Sequence, residues 1–321
     1  MKHLVAIVGP TGIGKSRLAL RLAQVFHGEI VSADSRQVYR YMDIGTAKPS
    51  PEERALVPHH LIDLVDPDQD FSLAQYQALA YQAIKDIQQR HKLPLLVGGS
   101  GLYIWAVLEG WKIPSVPPDP ELRRKLEGRA ARSGADELYR ELARVDPAAA
   151  QRIDPRNVRR VIRALEVHYK AQKPFSRLQA KEPPPFHILI IGLTAPRDEL
   201  YRRVDLRVDA MLEQGLVAEV EKLLSMGYHF NLPSLSSIGY KQIGMFLRGE
   251  LTLAEAAEQI KAETHRLVRH QYAWFRLNDK RIHWFDVSLK ANSEIEALLT
   301  NFLKREQNNQ DAILSKVARL A

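Results

Sequence analysis

The stretch HLVAIVGPTGIGKSRLALRLAQVF, residues 3–26, joins a short apolar run, a glycine loop and a segment with Leu18, Leu22 and Val25 at helical spacing. It reads as strand, loop and helix in immediate succession. Residues 9–16, GPTGIGKS, fill the pattern GxxxxGK[ST] in the structural context that this phosphate-binding loop requires. Its glycines let backbone N–H groups converge on phosphate oxygens, and the helix N-terminus adds a positive dipole. Gly9, Pro10, Thr11, Gly12, Ile13, Gly14, Lys15 and Ser16 are therefore expected to bind a diphosphate or triphosphate. Lys15 supplies a point charge and Ser16 a hydroxyl for phosphate-bound Mg²⁺. The loop does not identify the organic group attached to the phosphates.

Outward from this stretch, EIVSA (29–33), LPLLVG (93–98), HILIIGLT (187–194) and RIHWFDV (281–287) read as further strands, with a helical segment over 75–90. Alternating strands and helices predict an α/β fold, a parallel sheet of P-loop NTPase type flanked by helices. Pro114, Pro117, Pro118 and Pro120 open a segment with helical periodicity over 121–173, and EPPP (182–185) closes it. The expected organisation is a discontinuous core, 1–112 and 184–290, an all-helical insertion, 113–183, and a helical tail, 291–321.

The composition of the 321 residues, 45% hydrophobic and 26% charged, is that of a globular chain and excludes disordered and collagen-like classes. The uncharged stretch between Lys92 and Glu109 is too short and too broken by Pro94 and GGSG to span a membrane. LVAIVG is shorter than the roughly 7 to 15 residues of a signal-peptide core. The absence of cysteine excludes disulfides, thiol nucleophiles and cysteine-ligated zinc, and fits a cytoplasmic chain.

The formal net charge is +8, and residues 113–183 hold 16 Lys and Arg against 10 Asp and Glu, so most of the excess sits in the insertion. Arg156, Arg159, Arg160 and Arg163 recur at spacings that put them on one helix face. Such a face is either solvated surface or a contact for nucleic-acid phosphates.

The strand at 93–98 runs into GGSG with no carboxylate at its end, unlike an ordinary P-loop ATPase, which carries a Mg²⁺-supporting acid there. The acid that does follow a buried strand is Asp34. At the carboxyl end of that strand it can assist Mg²⁺, act as a general base or cap a helix. Arg203 and Arg207 lie one helical turn apart and can clamp a pyrophosphate. Adjacent His59 and His60 read as structural rather than as metal ligands, and Trp274 and Phe275 as core packing.

These residues, with SADSRQVYRYMDIGTAKP (32–49), HHLIDLVDP (59–67), LVGGSGLYIWAVL (96–108), RRVIRALEV (159–167), RVDLRVDAMLEQGLVAEV (203–220), SSIGYKQI (236–243) and HQYAWFR (270–276), resemble the tRNA dimethylallyltransferase family from residue 3 to about 287. The resemblance implies transfer of a dimethylallyl group from dimethylallyl diphosphate to N6 of the adenosine immediately 3′ of the anticodon, in tRNAs reading codons that start with U. It implies Mg²⁺ as cofactor and tRNA as partner; separately, a monomer with no membrane and no obligate protein partner is expected. By resemblance, Asp34, Ser100 and Arg203 are catalytic, Asp34 as general base and Arg203 completing the pyrophosphate site. Ser35, Arg36 and Gln37, with Asp34 and Ser100, lie beside the target adenosine. Arg123, Arg159, Arg160, Val161, Ile162 and Arg163 contact tRNA. Ser100 stands where Thr is usual, Ile13 and Ser16 replace hydroxyl residues of TASGKT, and His270 and Ala273 depart from a basic pattern near the C-terminus. Two other readings of the residues stand beside this one: a small-metabolite kinase whose basic insertion is a lid, and a nucleic-acid-binding protein with a regulatory nucleotide site.

Overall fold

Parallel strands buried on both faces need continuous apolar runs, and HLVAIV supplies one: β1 (His3–Val8) is buried along its whole length. In the computed structural model, which describes residues 2–114, 116–178, 180–287 and 291–318 with side chains to residue 304, β1 lies inside a six-stranded parallel sheet. Its companions are β2 (Gly28–Ser32), β3 (His59–His60), β4 (Leu93–Val97), β7 (His187–Thr194) and β8 (Ile282–Asp286), in the order β3-β2-β4-β1-β7-β8. A further pair, β5 (Trp111–Lys112) and β6 (Ala180–Lys181), is antiparallel. Because every strand of the sheet runs the same way, the loops after β1, β2 and β4 share one edge. That edge is where open α/β sheets place their ligand crevice.

The chain divides into two units, Met1–Val107 with Pro185–Ala321, and Leu108–Pro184. In the first, α1 (Lys15–Val25) buries Leu18 and Leu22 on one face. The other helices that precede the second unit are α2 (Pro51–Leu56), α3 (Leu73–Gln89) and α4 (Gly101–Leu108). Ser72 and Gln75 form a capping box that fixes the start of α3. The second unit holds α5 (Pro120–Ser133), α6 (Ala135–Val145), α7 (Pro147–Ala150), α8 (Val158–Ala171) and α9 (Phe175–Leu178), around a core that includes Leu126, Leu138, Leu142, Val161 and Leu165.

The first unit resumes with α10 (Arg197–Glu213), α11 (Leu216–Ser225), α12 (Tyr240–Leu247) and α13 (Leu253–Trp274), the last started by a Thr252–Glu255 capping box. Helix α14 (Ala291–Ala318) buries Ala291, Ile295 and Leu299 in the sheet's core, so the segment expected to be a tail forms part of a layer. Residues 319–321 of that segment lie outside the described residues.

The edge strand β3 explains the adjacent histidines. His60 Nε2 meets Glu29 at 2.7 Å and His59 Nδ1 lies 2.8 Å from the carbonyl of Val57. Glu29 is buried and also binds Arg90 and Lys92, so the cluster ties the sheet edge together.

Candidate active site

The loop after β1 closes on itself. Gly14 sits at φ 98°, a left-handed conformation that only glycine adopts without strain, and this lets α1 begin directly at Lys15. Lys15 Nζ donates to the carbonyl of Pro10 at 2.8 Å. Ile13 is buried in the core beneath the loop, so it offers phosphate only its backbone, while Ser16 is exposed at the head of α1. The Thr11 N–H is already held by Gln271 Oε1 at 2.8 Å.

Gln271 belongs to α13 and is itself buried, and its Nε2 donates to the carbonyl of Gly99 at 3.1 Å. One side chain thus joins the loops after β1 and β4. The glycines of GGSG permit this approach, since a Cβ at Gly99 would lie 2.2 Å from Gln271 Nε2, and one at Gly101 2.2 Å from the Trp274 ring. Trp274, expected in the core, is 39% exposed and lines the cleft, whereas Phe275 is buried as expected.

Asp34 follows β2 and faces a cleft of about 460 Å³ together with Thr11, Ser35, Ser100, Arg207 and Trp274. Its Oδ1 accepts the backbone N–H of Arg36 at 2.8 Å and of Gln37 at 3.4 Å. Its Oδ2 makes no hydrogen bond to a described residue, so the carboxylate is oriented by one oxygen and open at the other. Ser100, at the entry to α4, accepts the Ser35 N–H at 3.1 Å and lies 3.3 Å from the Ser35 hydroxyl. The serine at this position therefore keeps the loops after β2 and β4 joined. Arg36 donates to the carbonyl of Pro233, and Gln37 is fully engaged by Ser32, Thr46 and Ala47.

The two arginines of α10 are placed differently. Arg203 is paired with Glu199 one turn back on α10, while Arg207 lines the cleft. Val204, three residues before Arg207 on α10, packs beside Gly12 of the loop, and both residues line the cleft. Burial and then the Arg207 guanidinium push the Lys15 ammonium down to about 7, with Asp34 opposing the shift. Arg207 is also lowered, by burial, with Asp34 opposing.

In the second unit the expected contact residues separate into two groups. Glu166 is fully buried and binds Arg123 through two bonds of 2.9 and 3.0 Å and Arg163 at 2.5 Å, so these arginines hold the unit's own fold. The side chains of Val161 and Ile162, expected among the tRNA contacts, are buried in the helical core. Arg159 and Arg160 are exposed and make no ion pair among the described residues. Arg156 is exposed and paired with Asp154.

A family model described as IPP transferase matches residues 37–278, and one described as isopentenyl transferase matches residues 2–63. The tRNA dimethylallyltransferase of Dehalococcoides mccartyi is 53% identical over 300 residues, covering 94% of this chain and 92% of that protein. The chain belongs to the tRNA dimethylallyltransferase family. Among other relatives, the tRNA dimethylallyltransferase of a Roseiflexus strain is 57% identical over 276 residues, 86% of this chain and 90% of that one. The crystal structure of the tRNA isopentenylpyrophosphate transferase from Bacillus halodurans superposes with a TM-score of 0.72 at 41% identity, covering 97% of this chain and all of that one. A eukaryotic dimethylallyltransferase described as acting on tRNA superposes at 0.79 and 28% identity, covering 95% of this chain and 80% of that one.

For a member of the tRNA dimethylallyltransferase family, the acid-free end of β4 is then a positive feature, since GGSG gives the cleft room and a hydroxyl where a kinase carries a carboxylate. Sequence reasoning does not find Gln271, although it lies inside HQYAWFR. A glutamine on a helix carries no chemical signal until its two partners are known. His270 lines the cleft and Ala273 is exposed. No helix among the described residues is long and apolar enough to cross a membrane.

Proposed function

We infer that this protein transfers the dimethylallyl group of dimethylallyl diphosphate to N6 of the adenosine immediately 3′ of the anticodon, in tRNAs reading codons that start with U. The observation that carries this is a single cleft that brings a phosphate loop, Arg207 and an open Asp34 carboxylate together without a kinase-type acid. Lys15, the loop amides and Arg207 take up the charge that grows on the leaving diphosphate. Adenine N6 forms a bond to the primary allylic carbon as the bond from that carbon to the diphosphate oxygen breaks. Asp34, steadied through Oδ1 by the amides of residues 36 and 37, receives the N6 proton on its other oxygen.

The donor set at the loop fits a hard cation that arrives on the substrate's phosphates. Ser16 offers one exposed oxygen, and among the described residues no group of three His, Cys, Asp or Glu could cage a metal by itself. Mg²⁺ held by Ser16 and the diphosphate would supply further neutralisation of leaving-group charge.

The target base is stacked in its loop and has to leave the stack to reach Asp34. Arg159 and Arg160 present the exposed charge suited to the phosphates of the anticodon stem-loop. The reading includes a monomer, and the tRNA substrate supports a cytoplasmic setting. The reading is tested by mass analysis of nucleosides after incubation with unmodified tRNA and dimethylallyl diphosphate. It requires N6-dimethylallyladenosine as product. Phosphorylation of a small alcohol by ATP in its place would favour the kinase reading.

A further inference from the structure

Three of the motifs that carry the family resemblance meet at one carboxylate that has no part in the chemistry above. Glu219, in α11, accepts the backbone N–H groups of Asp43 and Ile44 on Oε2, at 2.9 and 2.7 Å, and that of Gly45 on Oε1 at 3.2 Å. The Tyr240 hydroxyl, at the start of α12, donates to the same Oε1 at 2.5 Å. Burial and the Glu219 charge push the Tyr240 phenol up, so it stays a donor. Successive backbone N–H groups that converge on an anion form a nest, and here the anion is a side chain of the protein itself.

The knot borders the cleft on two sides. Gly45 and Thr46 line it from one loop, and Ser237, Ile238 and Gly239 from the turn before α12. These walls touch through Gly45, where an added Cβ would lie 2.5 Å from the Tyr240 ring. The loop is also anchored from the opposite direction, because Gln37 Nε2 donates to the carbonyls of Thr46 and Ala47 at 3.3 and 3.1 Å. The 43–47 loop is thus fixed between Glu219 and the turn that carries Asp34. That turn is the acceptor side of the cleft in the reading proposed above, on which this inference rests.

We propose that Glu219 is a positioning residue for the acceptor: it clamps the 43–46 loop to the 237–240 turn and sets the width of the cleft where the adenosine enters. Glu219→Gln keeps the side chain's size but removes the charge and turns an N–H toward a backbone N–H. The expected result is a rise of about tenfold in KM for tRNA, the loss anticipated for charge-assisted hydrogen bonds to a backbone nest. KM for dimethylallyl diphosphate stays within about twofold, since the phosphate loop is held separately by Gln271.

Tyr240→Phe removes one of the four bonds without altering charge, and raises KM for tRNA by about threefold with the same selectivity. Binding of an anticodon stem-loop RNA and of dimethylallyl thiodiphosphate, measured by calorimetry, checks that the KM changes are affinities. A Glu219→Gln protein with unchanged KM for tRNA, or with equal losses for both substrates, overturns the proposal. If Glu219→Gln does not fold, Tyr240→Phe decides by the same criterion. A wild-type protein that forms no dimethylallyladenosine defeats the functional reading instead, so the two failures are distinguishable.

Discussion

In the cleft of the first unit, the side chains assigned to chemistry are held by neighbours before any substrate arrives. Asp34 is oriented by two amides, Ser100 by Ser35, and the phosphate loop by Gln271. In the second unit, Arg159 and Arg160 of α8 stand exposed without ion pairs among the described residues, while Arg123 of α5 and Arg163 of α8 are tied to Glu166. The difference follows from the two tasks. Displacement at a carbon needs groups fixed to a fraction of an ångström, whereas attraction to a phosphate backbone needs charge that can follow it. In the second unit the arginines bound to Glu166 build the platform, and Arg159 and Arg160 are the ones left available for the proposed phosphate contact.

This contrast breaks first at Asp34. Asp34→Asn keeps an oxygen to accept the amides of Arg36 and Gln37, so the turn survives while the base is lost. Single-turnover prenyl transfer is expected to fall by about 100-fold or more, with tRNA affinity nearly intact. A rate within a few-fold of wild type would remove Asp34 from the chemistry.

The two arginines of α10 sharpen it next. Arg207→Ala should weaken dimethylallyl diphosphate binding by about 10- to 100-fold, the scale of removing one charge-assisted hydrogen bond. Arg203→Ala should change it by no more than about threefold, because that guanidinium is already paired with Glu199. Titration calorimetry with the thiodiphosphate analogue measures both, and the reverse ranking would restore Arg203 to the site.

A smaller effect concerns pH. Burial and Arg207 push the Lys15 ammonium down to about 7, and a bound diphosphate favours its charged form, so above that pH binding takes up a proton. Affinity for the analogue should therefore be flat below pH 7 and fall by up to about tenfold per unit above it. Lys15→Met should bind more weakly with this fall abolished. An unchanged slope in the variant would assign the titration to another group.

The smallest expected effect lies in the second unit. Arg159→Ala with Arg160→Ala should weaken tRNA binding, with prenyl diphosphate binding unchanged. The slope of log affinity against log salt should drop by somewhat under one unit for each arginine–phosphate interaction removed. Equal salt slopes for the double variant and wild type would make this face ordinary solvated surface. Arg163→Ala serves as the contrast: it leaves buried Glu166 with one fewer partner, so its first effect should be a lower melting temperature.

Much of the architecture was legible because burial on both faces leaves unbroken apolar runs, as in β1, β4 and β7. Strand order was not, since nothing local in LPLLV states that β4 lies between β2 and β1. The two-residue β3 is too short for any periodicity, and α4, GLYIWAVL, is apolar all round, so it shows no helical stripe. In the site, the phosphate loop and Asp34 announce themselves by residue type and by place at a strand end.

Arg203 and Arg207 lie one turn apart and are told apart only in three dimensions, by the Glu199 pair and by which of them lines the cleft. Gln271 and Glu219 act on backbone groups far away in the chain, so their roles exist only in three dimensions. Val161 and Ile162 belong to a basic motif whose helical phase turns them inward.

The chemistry proposed for this cleft is alkylation of an adenosine beside the anticodon. Its most direct test is to incubate the protein with unmodified tRNA, dimethylallyl diphosphate and Mg²⁺, digest the RNA and analyse the nucleosides by mass spectrometry, with Asp34→Asn in parallel. N6-dimethylallyladenosine is expected at the position 3′ of the anticodon with the wild-type protein, and at most traces with the variant. An unmodified adenosine with the wild-type protein, or equal product from Asp34→Asn, would contradict it.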